Sequence, residues 1–300
     1  MKFSYLTLMA IFLSISVNVI AESPEIKAVQ LMNEAKQAIN TNLDSAEELI
    51  ELALELAPNN SEIQFMCGRI MGRQAEDAVF SALSYAKKSK QCLKQAVALN
   101  PQNIEFRKGL MSFYLGAPAI AGGDNDLAWE QVNLINQIDP LKGTSARIRY
   151  FQKVEDIASL SKLLEQSRVS FPEYAEFHYR HGLYLQELEL FEKANEAFVK
   201  ATEAKNDDEH NYILNAWYQI GRTAIFSSKN LERGISAISY FINNTPKDSS
   251  IPPIDWAHLR LAQLYLLSGQ SQQSSEQLSI IANTNDKALQ REIRRLKRKL

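Results

Sequence analysis

Few side chains in this 300-residue sequence are spaced for chemistry. Of the four histidines, His178, His181, His210 and His258, only the first two are close, three residues apart. On a helix that spacing puts both imidazoles on one face, where they would suit two ligands of a metal ion. No third ligand accompanies them, and both stand at packing positions of the pattern described below, so no metal site is expected. Cys67 and Cys92 are the two cysteines. In an oxidising compartment they would pair and stabilise the fold by roughly 3 kcal/mol; unpaired, they would act as small buried hydrophobes. The helix register sets them on facing helices, and both readings stay open. No nucleophile elbow, phosphate loop or metalloprotease helix occurs, so neither catalytic residue nor cofactor is expected.

The most individual stretch runs Ala117-Pro118-Ala119-Ile120-Ala121-Gly122-Gly123-Asp124. Pro118 breaks the preceding helix, Gly122 and Gly123 permit unusual backbone angles, and Asp124 or Asp126 can cap the helix carrying Trp129. Irregular loops on regular scaffolds also carry function, so Pro118, Gly122, Gly123 and Asp124 form a candidate ligand loop.

The elements that position these residues are helical. Hydrophobic residues make up 45% and charged residues 23%, as in folded globular proteins, while Gly (11) and Pro (9) are too few for a turn-rich β fold. The formal charge of −2 hides an asymmetry. Residues 287–300 hold seven basic side chains against one acidic, a net +6, which leaves −8 for residues 1–286. An acidic body lacks the broad basic surface that nucleic acid requires. At the other end, Lys2 precedes an apolar stretch from Leu6 to Val17, and Val19-Ile20-Ala21 offers a cleavage site. This reads as a signal peptide removed after Ala21, without a cysteine for lipid attachment, and implies a periplasmic chain.

Residues 175–208 read AEFHYRHGLYLQELELFEKANEAFVKATEAKNDD. With Gly182 at position 8, Ala194 falls at 20, Phe198 at 24 and Ala201 at 27. This resembles the tetratricopeptide repeat, in which small residues at 8 and 20 let two antiparallel helices approach while larger residues at 4, 7, 11, 24 and 27 fill the core. Copies follow at Trp217–Pro246 and Leu261–Ile281, and weaker ones precede at Leu141–Pro172 and Lys27–Pro58. Two units carry excess residues: about nine between Gly68 and Pro101, expected to extend the first helix through Ala75–Lys88, and about seven in Leu115–Asp126. The segment Ser249–Pro253 reads as a short loop. The expected fold is an all-α solenoid of about seven hairpins, irregular over 27–140 and regular over 141–286. Residues 287–300 form a capping helix, with Leu289, Ile293, Leu296 and Leu300 on its apolar face.

The resemblance implies a non-catalytic adaptor for a protein or peptide partner. Positions 2, 5, 9 and 12 of the first helices line one side and supply Phe65, Arg69, Phe106, Arg149, Tyr179, Asn215, Tyr218 and Arg222. Interleaved aromatics and arginines suit an extended peptide or a partner helix. The basic end helix allows at most a peripheral membrane contact. An alternative follows from the Gly-Gly-Asp loop, which is similar to that of helical-repeat components of solute uptake systems; it implies a small ligand bound near the 117–126 loop, in a closed apolar pocket near Pro118–Gly123 instead of an open groove.

Overall fold

The computed structural model describes residues 23–204, 210–246, 251–281 and 284–300. The expected signal peptide lies outside them, as does part of the 249–253 loop. Among the described residues there are fifteen α-helices, one 3-10 turn and no strand. The chain divides into two compact units, Met1–Ile138 and Asp139–Leu300, and each is described by itself.

The first unit contains three helical hairpins: α1 (Pro24–Ala38) with α2 (Leu43–Leu56), α3 (Ser61–Asp77) with α4 (Ala82–Leu99), and α5 (Ile104–Gly116) with α6 (Asn125–Ile138). The second contains four: α7 (Pro140–Lys153) with α8 (Ile157–Ser170), α9 (Ala175–Glu187) with α10 (Phe191–Thr202), α11 (His210–Ser227) with α12 (Leu231–Asn244), and α13 (Ile254–Leu267) with α14 (Ser271–Ile280). A final helix, α15 (Lys287–Lys297), packs on α13.

Side-chain caps set many of the boundaries. Asn42, Asn60, Asn103, Asp139 and Asp156 each accept a hydrogen bond from a backbone N–H in the first turn of the helix that follows. Such a cap contributes about 1 kcal/mol by satisfying a donor the helix cannot. The second unit shares a further device. Glu155, Glu189, Ser228 and Gly269 all have φ between 52° and 79°, and each occupies position 15 of its repeat. A left-handed residue there turns the chain between the two helices of every hairpin in this unit.

Tight helix contact follows the small positions, though the partner of position 8 is the large residue at 24. A β-carbon on Gly182 would lie 2.6 Å from Phe198, and one on Gly68 2.5 Å from Leu93. Buried apolar residues line these seams, among them Ile50, Ile63 and Ile70 in the first unit and Leu164, Phe177, Phe198 and Phe241 in the second.

Two expectations change. The excess between Gly68 and Pro101 does not form one extended first helix. It lengthens α3 to Asp77, opens a turn at residues 78–81 and gives the second helix, α4, 18 residues. Val79 and Phe80 stand exposed in that turn, so burial does not hold these residues in a helix. In α15, Leu289, Ile293 and Leu296 are buried against the last hairpin, but Leu300 lies beyond the helix and is exposed.

Candidate functional site

The first unit encloses a cavity of about 670 Å³, open on one side, between α3, α4 and α5 and the segment after α5. Small residues create it. Gly72, Gly116, Ala75, Ala82, Ala86 and Ala121 all face it, and Leu83, Leu93, Phe113 and Ile120 supply its larger apolar wall. The glycines of α3 and α5 divide into two kinds. Gly68 and Gly109 are required by packing, since β-carbons there would lie 2.5 Å from Leu93 and 2.6 Å from Phe65. Gly72 is different, because its nearest neighbour would be Ser89 Oγ at 3.4 Å, and a β-carbon on Gly116 would meet nothing within 4 Å. Each costs helix stability, about 1 kcal/mol at an interior position such as Gly72, without a contact that needs it.

The Gly-Gly-Asp loop supports this cavity and only partly lines it. Pro118 and Ile120 face the space; Gly122, Gly123 and Asp124 do not. Gly122 turns the chain at φ 95°, under the Lys90 side chain, and a β-carbon on Gly123 would lie 1.7 Å from the Ala117 carbonyl oxygen. The Asp124 carboxylate accepts hydrogen bonds from the N–H groups of Asp126 and Leu127 at 2.9 and 3.1 Å, which caps α6. The expected ligand loop is thus corrected: three of its four residues hold the backbone, and only Pro118 borders the cavity. Behind the wall, Cys67 of α3 and Cys92 of α4 are joined in a disulfide, with Cα atoms 5.9 Å apart.

Of the groove residues expected in this unit, Arg69 is exposed and lines the cavity. Phe65 is half-buried and packs its ring 4.9 Å from that of Phe106. Phe106 itself is only 1% exposed and belongs to the core, so it offers no surface to a partner. Arg149, on α7 of the second unit, is exposed.

The second unit gathers polar and aromatic side chains along α9, α11 and α13. The Tyr179 ring lies tilted beside that of Tyr212, centroids 5.7 Å apart; burial raises the Tyr179 pKa above the ordinary phenol value, opposed by Gln219 and by the charges of Arg180 and Arg222. Arg222 lies over the Phe226 ring and donates to Gln219 at 3.2 Å, while Arg260 lies over Trp256 and donates to Gln263 at 2.9 Å. Both leave a buried Nε without a hydrogen-bond partner, as does Arg147 of α7. Burial lowers the Arg222 pKa; Tyr218 and Tyr179 oppose this, and the positive charge of Arg260 adds to it. Two expected residues contribute less. Tyr218 is 5% exposed and packs on Phe241, and the Asn215 side-chain amide donates to its own helix at the Asn211 carbonyl. Position 5 of α11 turns inward because the ring at Phe241 fills the adjoining seam.

Beside this face lies a buried ion pair that the repeat pattern did not reveal. Arg180 Nε donates to Glu176 at 2.7 Å, its Nη2 donates to the Tyr212 hydroxyl at 3.3 Å, and Ser145 Oγ donates to Glu176 at 2.9 Å. Burial works against the Arg180 charge, yet Glu176 and Tyr212 outweigh it and hold its pKa above the ordinary value. Three histidines have structural neighbours: His178 Nε2 bonds with the Pro172 carbonyl, His258 Nδ1 lies 2.8 Å from Gln277 Oε1, and His181 Nε2 lies 3.4 Å from Glu165 while its Nδ1 is buried without a hydrogen-bond partner. Among the described residues no cluster of three His, Cys, Asp or Glu side chains is arranged to hold a metal ion, and no helix is long and apolar enough to cross a membrane.

Residues 175–208 match the family model of the tetratricopeptide repeat. No curated protein matches the chain in sequence. Among solved structures, yeast Tom70 is similar over 92% of this chain and 54% of its own, with 15% identity and a TM-score of 0.68. A tetratricopeptide repeat protein from Parabacteroides merdae ATCC 43184 is similar over 90% and 99%, with 10% identity and a TM-score of 0.50. The APC/C hetero-tetramer Cut9–Hcn1 includes a chain similar over 91% and 49%, with 12% identity and a TM-score of 0.52. The chain therefore spans about half the length of Tom70. The fold is that of tetratricopeptide repeat proteins, an all-α helical-repeat architecture generally used to bind other proteins.

Proposed function

We propose that this tetratricopeptide repeat protein is a non-catalytic scaffold outside the cytoplasm, holding a protein or peptide partner on the first-helix face of its second unit. One observation carries the reading: Arg222 and Arg260, on consecutive first helices, each keep a buried Nε–H without an acceptor. Neither arginine has an ion-pair partner among the described residues, and both are partly exposed, so each leaves a guanidinium charge for a partner's carboxylate to meet. The flanking rings of Tyr179, Phe226 and Trp256 add apolar contact area at low entropic cost. A chain of similar fold occurs in the APC/C hetero-tetramer Cut9–Hcn1, which accords with a role exercised through contact.

Export rests on the apolar segment at Leu6–Val17 with its Ala21 cleavage site, and suits a task in envelope assembly or secretion. The exposed basic face of α15 would then meet an anionic membrane surface peripherally, and the acidic body disfavours nucleic acid. Crosslinking and affinity capture from the native envelope test the reading. The R222Q/R260Q double variant, folded by circular dichroism, should lose the partner captured by the unaltered protein. Equal recovery by both removes the arginine face from consideration.

A further inference from the structure

We propose that the cavity of the first unit binds one hydrocarbon chain ending in an acid, the fatty-acid class of ligand. This site is independent of the scaffold role of the second unit. Its volume of about 670 Å³ falls among small-molecule sites, which run to roughly 300–1,000 Å³.

The wall selects hydrocarbon. Its two serine hydroxyls are already engaged, Ser89 Oγ donating to the Gly68 carbonyl and Ser112 Oγ to the Lys108 carbonyl, each at 2.7 Å. The other polar side chains that line the cavity, Asn40, Arg69, Arg73 and Glu76, are all exposed. A peptide would bring a backbone N–H and a C=O with every residue, each needing a partner that the inner, apolar wall does not supply. An acyl chain brings none, and its burial is favoured in proportion to the apolar area removed from water. The exposed side chains of Leu83 and Ile120 stand at the opening, where they would cover the part of the chain nearest solvent.

Charge selects the end group. Two arginines line the cavity, and Arg73 is paired with Glu76 at 3.0 Å. Arg69 is exposed at the opening and makes no ion pair among the described residues, so it is free to take one carboxylate through its forked donors. The helix glycines then have a cause. Side chains at Gly72 and Gly116 would meet little or no protein and would project into the volume the ligand fills.

The test is calorimetric titration of the full chain with dodecanoate, alongside dodecanol, dodecylamine and lauroyl lysophosphatidylglycerol. Saturable binding of one dodecanoate per chain is expected, weaker with dodecanol and weakest with dodecylamine. R69Q should weaken dodecanoate about tenfold and leave dodecanol unchanged, as expected for one lost charge-assisted contact. G116L should abolish both while circular dichroism and melting stay normal; G72A, which removes less volume, should weaken both without lowering the melting temperature. Tighter binding of lauroyl lysophosphatidylglycerol supports the site and assigns its acyl chain to a phospholipid. Absence of saturable dodecanoate binding, binding unchanged in both glycine variants, or preference for dodecylamine overturns the proposal.

Discussion

The Phe198 ring closes so tightly over Gly182 that a β-carbon at that glycine would lie 2.6 Å from Cε1. Phe198 is fully buried and has nowhere to retreat. Gly182→Ala should therefore destabilise the second unit by about 1–3 kcal/mol despite the better helix propensity of alanine. Gly72→Ala, made where the nearest atom is a serine hydroxyl at 3.4 Å, should be neutral or stabilising. Urea denaturation of the two variants measures the contrast, and similar midpoints would contradict the distinction between packed and open glycines.

A left-handed residue at position 15 is cheap only for glycine, and Gly269 is the one that has it. Glu189 adopts φ 57° at the equivalent turn. A left-handed conformation costs a non-glycine residue about 1–2 kcal/mol, so Glu189→Gly should raise stability, offset in part by the greater chain entropy of glycine when unfolded. A melting temperature that falls would show that the Glu189 side chain contributes more than its backbone strain removes.

The joining of Cys67 to Cys92 crosslinks residues 25 apart. In the chain-entropy account a loop of that size stabilises by about 3 kcal/mol. Thermal unfolding with and without a reductant should show a clear downward shift on reduction, and the C67S/C92S variant should melt low under both conditions.

His181 makes stability depend on pH. Burial holds its pKa below the ordinary 6.5, aided by Arg168 and His178 and opposed by Glu165. The folded protein keeps the ring neutral where the unfolded chain would already take a proton. Stability attributable to this group is thus complete above about pH 6.5 and is lost as pH falls from there through the lower folded value. Denaturation midpoints at pH 7.5 and 5.5 should differ less in His181→Asn than in the unaltered chain.

The buried pair Glu176–Arg180 gives a fourth handle on the second unit. Removing the carboxylate with Glu176→Ala leaves a half-buried guanidinium without its partner and should cost about 1–3 kcal/mol, whereas the double Ala variant should recover part of that loss. A double-mutant cycle with no coupling would show that the two charges are solvated separately.

The repeat was legible because its spacing is a packing requirement: Gly182, Ala194, Phe198 and Ala201 are buried where an interior demands small and large residues in turn. Boundaries were legible at Asp124, which caps α6, whereas the caps at Asn60, Asn103 and Asp139 act within one turn of chain and carry no motif that singles them out. Surface membership was harder. Phe106 and Tyr218 occupy groove positions in the repeat but are buried, packed on the rings of Phe65 and Phe241. Glu176 and Arg180 have the i, i+4 spacing of one helix face, but Tyr212 and Ser145 join them from 32 and 31 positions away, through contacts that no motif marks. The cavity had a trace in sequence, since Gly68 and Gly72 are four apart and Gly109 and Gly116 seven apart, each pair on one helical face. Which glycine was packed and which was open depended on Leu93 and Phe65.

The covalent link between Cys67 and Cys92 ties together the two helices that supply one side of the cavity, and Gly68 of its wall adjoins Cys67 in the chain. Fixing those helices narrows the range of widths the space can sample, so electron exchange at two sulfur atoms becomes a mechanical setting for the first unit.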